Sequence, residues 1–276
     1  MKTSNFKMQK RNLTMSETKF RMEIHVPCKE TECLLVDQVK IANIKFSDLK
    51  KDYRVDLILH KNNKLFLPDL YNSVLREIRA DKQRVEELDY VAFCHSDVSF
   101  DVDSVVTKLV KLDGKYDIAG FAGAKKLNFL ISPIGWWPSS TPHPEERYGR
   151  IKQVFNGQLL DSFFNIEHHS NVTDTRVATI DGLCMMLGRN VIKDETNLFE
   201  ESYKANNFYD LDFCLSNLFA NRTIGVIIEH VFHASVGMSI LTDGYKKTEQ
   251  LFKQKWYSKI FSKRQQQIQL SSAQNN

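Results

Sequence analysis

Tyr90-Val91-Ala92-Phe93-Cys94-His95-Ser96-Asp97-Val98 is a short apolar run that stops abruptly at a histidine and a carboxylate. A strand buried on both faces reads as a continuous apolar run, and ligands of open α/β sheets gather at the carboxyl ends of such strands. Asp97 therefore stands where a metal or a phosphate would be held. The alternative reading is that His95 and Asp97 open a surface loop and Asp101 caps a helix over Asp101 to Lys111.

Other runs of the same kind lie at Arg21 to Val26, Val55 to Leu59, Tyr116 to Phe121, Val177 to Leu187 and Thr223 to Glu229, with helical patterns between most of them. This alternation predicts an α/β fold with a mostly parallel sheet and helices on both faces. Pro68 suits a first helical turn, and Leu70, Val74, Leu75 and Ile78 follow it on one stripe. Asn206 to Ala220 is the best helix, with Phe208, Leu211, Leu215, Leu218 and Phe219 on a single face and Asn206 or Asn207 as its cap. Between about 122 and 175 regularity weakens around Trp136-Trp137-Pro138 and Pro133, Pro142 and Pro144. A long irregular segment of this kind is expected to cover a site.

Residues 1 to 20 read as a disordered leader and 263 to 276 as a disordered polar tail, which leaves one domain over 21 to 262. At 276 residues and 42% hydrophobic the chain can bury a full core, and a net charge of +4 spread along it gives no nucleic-acid footprint. The polar, basic start to Arg21 has no apolar core, and no run reaches bilayer length, so the expected location is the cytoplasm. Five cysteines make no disulfide framework; Cys94 and Cys184 lie in apolar runs as reduced core residues do, and Cys28 with Cys33 lacks a second pair to complete a zinc site.

Three further groups carry chemistry. Asp181-Gly182 interrupts an apolar run, where a carboxylate needs a cation, donors or solvent, and the glycine lets another group come close; an Asp-Gly hairpin turn reads equally from these residues. Asp210 and Asp212 open the best helix. At about 100° per residue they cannot share a face, so one should point to the sheet end and the other away. His230 and His233 follow the last strand and can be metal ligands or structural residues, whereas His168-His169 reads as surface.

The order of these pieces resembles the GT-A glycosyltransferases, specifically the family 2-like group. It comprises an apolar strand ending in His-x-Asp-Val, then Ile180-Asp181-Gly182 with Arg189 beyond, then Phe208-Tyr209-Asp210-Leu211-Asp212-Phe213-Cys214-Leu215, then a strand followed by His233-x-Ser235-x-Gly237. The resemblance runs from about Leu67 to Gly237 and is firmest over 177 to 237. It implies a GT-A (Rossmann-like) fold and transfer of a sugar from a nucleotide-sugar donor to a hydroxyl acceptor, a glycan, lipid-linked sugar or protein, with inversion and with Mn²⁺ or Mg²⁺. By resemblance Asp97 binds the metal, His95 and Ser96 lie beside it at the donor, and Asp181 with Gly182 lines the sugar pocket. Asp210 is the catalytic base, His233 is a further metal ligand, and Trp136 and Trp137 form an acceptor platform.

The chain departs from the family at three places: one carboxylate in His-Ser-Asp where many relatives have two, His60-Lys61-Asn62-Asn63 where an acid often reads the base, and Tyr209 where an acid often precedes the catalytic one. Tyr245 to Arg264 is basic with interleaved Leu251, Phe252, Trp256, Tyr257, Ile260 and Phe261. A helix over about 245 to 262 can therefore lie on an anionic membrane or fold its apolar stripe back on the domain. Two other functions fit the same residues: a metal-dependent hydrolase using His95, Asp97, His230 and His233, and a non-catalytic nucleotide-sugar or carbohydrate-binding protein.

Overall fold

The computed structural model of the chain describes residues 20–28, 33–125, 147–155, 158–164, 173–204, 206–234 and 243–273. The first half runs β1 (Phe20–Cys28), α1 (Val36–Asp48), β2 (Tyr53–Lys61), α2 (Leu67–Ala80), α3 (Lys82–Glu87), β3 (Tyr90–Cys94), β4 (Val98–Phe100), α4 (Val102–Leu112), β5 (Ile118–Gly120) and β6 (Ala122–Ala124). The second half adds β7 (Arg147–Phe155), β8 (Gln158–Phe164), β9 (Asp174–Arg176), β10 (Thr179–Ile180), β11 (Cys184–Gly188) and α5 (Arg189–Lys193). It ends with α6 (Tyr209–Phe219), β12 (Ile224–Ile227), β13 (Val231–His233) and α7 (Asp243–Ala273).

Seven strands form the main sheet in the order β2-β1-β3-β11-β5-β12-β9. From the pairings, β2, β1, β3, β5 and β12 run one way, and β11 and β9 run the other. The result is the mixed, mostly parallel α/β sheet expected from the sequence. Alternation along β3 explains why its run is apolar throughout: Tyr90, Ala92 and Cys94 join α1 and α4 in one core, while Val91 and Phe93 join α2, α5 and α6 in the other. Helices therefore cover both faces. Phe93 stacks on Tyr71 of α2 at 4.2 Å between ring centroids.

The connections fix where a ligand fits. From β1 the chain crosses one face through α1 to β2, then returns over the other face through α2 to β3 on the opposite side of β1. The crevice at the carboxyl ends of β1 and β3 is a topological switch point, the usual place for a ligand in an open α/β sheet. The residues that leave β3 at that crevice are His95, Ser96 and Asp97.

Several expectations need correcting. Val177 to Leu187 is two strands, because β10 pairs with β6 in a second sheet while β11 pairs with β3 and β5 in the main one. That second sheet runs β10-β6-β7-β13-β4 with β8 beside β7, and it occupies part of the segment read as irregular. Helix α6 starts at Tyr209 and has no side-chain cap: Phe208 occupies the N-cap in the left-handed region at φ 64°. The Asn206 carboxamide instead accepts a hydrogen bond from Leu67 N at 3.1 Å, at the start of α2. The leader lies almost wholly outside the described residues, and α7 continues past 262 into the expected tail.

Part of the apolar stripe of α7 turns inward: Tyr245, Phe252 and Trp256 are buried against Tyr203, Phe208, Leu211 and Leu215. Among the described residues no helix is long and apolar enough to cross a membrane. All five cysteines are buried free thiols.

Asp101 caps α4 as the sequence predicts, its carboxylate accepting from Ser104 N at 3.0 Å. Asp101→Ala should cost about 1 kcal/mol of stability, read as a lower urea midpoint with an unchanged slope.

Candidate functional site

The turn after β3 is held from two sides. His95 N donates to Leu183 O at 2.9 Å, and Asp97 O accepts from Ala234 N at 2.8 Å. Strand β13 pairs antiparallel with β4 so that His233 lies opposite Val98, next to Asp97. The two sheets thus bring His233 to the mouth of the β3 turn, with its Nε2 3.6 Å from Asp97 Oδ1. His95, Asp97 and His233 can each offer one ligand atom, all within 4.8 Å of one another. Among the described residues this is the one His/Cys/Asp/Glu group able to hold a metal ion.

The family resemblance implies Asp97 and His233 as ligands with His95 at the donor, whereas the hydrolase reading groups His95 with Asp97, His230 and His233. The structure brings the His95 ring into the same group, where it could offer a third ligand atom. Ser96 contributes its carbonyl to Leu34 N at 3.1 Å. His230 is exposed and pairs with the Arg150 guanidinium, apart from the cluster. The far side of His233 is met by Gln153, whose Nε2 is 3.3 Å from Nδ1, a partner with no signal in the sequence.

Charge in the cluster is set by burial and by mutual contact. Burial pulls the His95 imidazole down to about 4 against the opposing pull of Asp97, so the ring is neutral at neutral pH, as a ligand must be. Burial raises the Asp97 carboxyl, but the close His233 imidazole outweighs it and holds it below its ordinary value. His233 shows the reverse: burial lowers it, Asp97 raises it, and the net direction is upward.

The second half of the site is the turn between β10 and β11. Asp181 Oδ1 accepts from Leu183 N at 2.6 Å and Asp181 N donates to Ala122 O at 2.9 Å, which bends the chain from one sheet into the other. The first turn of α6 grips the Gly182 peptide at both ends: Asp210 Oδ2 accepts from Gly182 N at 2.9 Å, and Tyr209 Oη donates to Gly182 O at 3.0 Å. A Cβ at position 182 would lie 2.2 Å from Tyr209 Oη, so only glycine fits there. The close approach expected at this glycine is made by the tyrosine hydroxyl.

Burial, and then the charge of Asp181, push the Asp210 carboxyl up to about 7. That value suits a group that must take a proton at neutral pH. Asp212 points the other way, into the contact with α7, as helical spacing requires. The proposed platform residues Trp136 and Trp137 lie outside the described residues, as do His168 and His169.

Two imidazoles and one carboxylate form a mixed nitrogen and oxygen donor set. Such a set fits Mn²⁺ or another transition ion better than Mg²⁺, which favours oxygen ligands.

The sequence matches no family model and no curated protein. Solved structures of similar outline include A197 from STIV, at 10% identity with 78% of this chain and 86% of that chain covered and a TM-score of 0.43. HddC from Yersinia pseudotuberculosis is 12% identical over 84% of this chain and 99% of its own, with a TM-score of 0.32. A glycosyltransferase involved in glycosylation of the major capsid of PBCV-1 is 10% identical over 84% and 98%, with a TM-score of 0.33.

Proposed function

We propose that the chain is an inverting, metal-dependent glycosyltransferase that moves a sugar from a nucleotide-sugar donor to a hydroxyl acceptor. One observation carries the reading: a His-Asp-His group from the β3 turn and β13, and a carboxyl poised near neutrality at the start of α6, are linked through Tyr209 and Gly182 beside the switch-point crevice. His95, Asp97 and His233 would hold Mn²⁺, which supplies the positive charge that stabilises a departing nucleoside diphosphate. Asp210 takes the proton of the acceptor hydroxyl as that oxygen bonds to the anomeric carbon and the bond to the diphosphate breaks. Asp181 lines the sugar pocket and keeps Asp210 basic through its charge.

The donor set also supports a second reading, a metal-dependent hydrolase built on the same three ligands without His230. Two imidazoles and one carboxylate, with an open position for water, is a ligand set used by catalytic zinc.

Thermal melts across a panel of nucleotide-sugars, with and without Mn²⁺, separate the readings. A sugar-transfer enzyme should gain about 5 °C or more when donor at about 100 times its Kd and Mn²⁺ are present together. Stoichiometric zinc by elemental analysis, with turnover that needs no nucleotide, would favour the hydrolase. Donor-induced stabilisation without release of nucleoside diphosphate would mark a binding protein instead.

A further inference from the structure

We propose that Tyr209 is a positioning residue: its hydroxyl fixes His95 as the Nε2–H tautomer and reserves Nδ1 for the metal. This rests on the metal-dependent reading above and names the residue that makes the thinned motif workable.

The argument is a count of protons. A tyrosine hydroxyl has one hydrogen to give, and Tyr209 gives it to Gly182 O at 3.0 Å. The same oxygen lies 3.0 Å from His95 Nε2, so in that contact it can only accept, and Nε2 must carry the hydrogen. A neutral imidazole with hydrogen on Nε2 has its lone pair on Nδ1, so Nδ1 is the ligand atom.

The space for a side chain at 182 is taken up by Oη, and Gly182 N is pinned by Asp210. The tyrosine ring meets Tyr71 edge-on at 5.8 Å and Phe199 at 6.2 Å between centroids. A partner that fixes the second nitrogen of a metal-bound histidine typically changes metal affinity by about 10–100-fold. Tyr209 therefore acts indirectly: it holds the imidazole that would ligate.

The test uses the full chain with ¹⁵N-labelled histidine, metal-free and at neutral pH, the His95 resonances being assigned by loss in His95→Gln. The expected spectrum has the hydrogen of His95 on Nε2. In Tyr209→Phe the single tautomer should be lost, and the Mn²⁺ dissociation constant, read by the electron paramagnetic resonance of free Mn²⁺, should rise about 10–100-fold with circular dichroism unchanged. Gly182→Ala reaches the same hydroxyl from the other side and should reproduce both changes.

Hydrogen on Nδ1 in the wild type overturns the proposal, as does a folded Tyr209→Phe protein that binds Mn²⁺ as the wild type does. Tyr209 acting only as core packing would lower the melting temperature and leave tautomer and affinity alone. A wild type that takes up no Mn²⁺ overturns the functional reading instead; the two failures are distinguishable because the tautomer is read without metal.

Discussion

Asp210→Asn is expected to lower the rate of sugar transfer by about 10²–10⁴-fold while donor binding stays within a few-fold of the wild type. The amide oxygen of Asn can still accept from Gly182 N, as Asp210 Oδ2 does at 2.9 Å, so the turn keeps its shape while the proton acceptor is lost. The wild-type rate should rise with pH and level off above about 7, because the carboxyl must be ionised to act and burial with Asp181 holds it up at that value. Asp181→Asn removes a like charge, makes ionisation of Asp210 easier and should move the acid limb to lower pH. Release of nucleoside diphosphate across pH, with calorimetric titration of the donor, measures both effects. Loss of donor binding with transfer surviving would remove Asp210 from its role.

Asp212→Ala should cost about 3 kcal/mol of folding stability, measured by urea unfolding. Asp212 is 1% exposed and accepts from Tyr203 Oη at 2.9 Å, Trp256 Nε1 at 2.6 Å and Lys255 Nζ at 2.9 Å. Truncation leaves the tyrosine and indole donors buried without an acceptor, and each unsatisfied donor costs about 1–3 kcal/mol. Lys255 keeps Glu200 at 2.8 Å, which limits the loss on its side. Asp212→Asn retains an acceptor and should cost less. A loss below about 1 kcal/mol for the alanine variant would mean that α7 is held by its apolar contacts alone.

Much of the main sheet was readable from periodicity because its signals are local. Tyr90–Cys94 ends where the apolar run ends, and α2 buries Leu70, Val74, Leu75 and Ile78 as the stripe predicts. The second sheet was not readable. Its strands β4, β6, β10 and β13 are two or three residues long, too short to show a period, and they exist by pairing with distant segments.

The same reason split Val177 to Leu187. Its composition says strand throughout, but the carboxylate and glycine at its centre are bent by Leu183 N and by α6, which lies far along the chain. At the site, Asp97, His233, Asp181 and Asp210 stood out as residue types in order. His95 entered as a metal residue only in the hydrolase reading, and its grouping with Asp97 and His233 without His230 depends on a β13 pairing and a Tyr209 contact that no spacing in the sequence shows. Tyr209 left one trace: an uncharged residue where an acid is common.

Phe208 holds its left-handed backbone at φ 64° directly ahead of Tyr209 and Asp210, with its ring against Tyr245 and Phe252 of α7. A bulky residue in that region stores about 1–3 kcal/mol, which persists only while its surroundings enforce it. The last helix is thus a brace for the turn that carries Asp210. Heat, a protease or a solvent that loosens α7 lets Phe208 relax and Asp210 swing from its register, so activity should fade before the sheet melts.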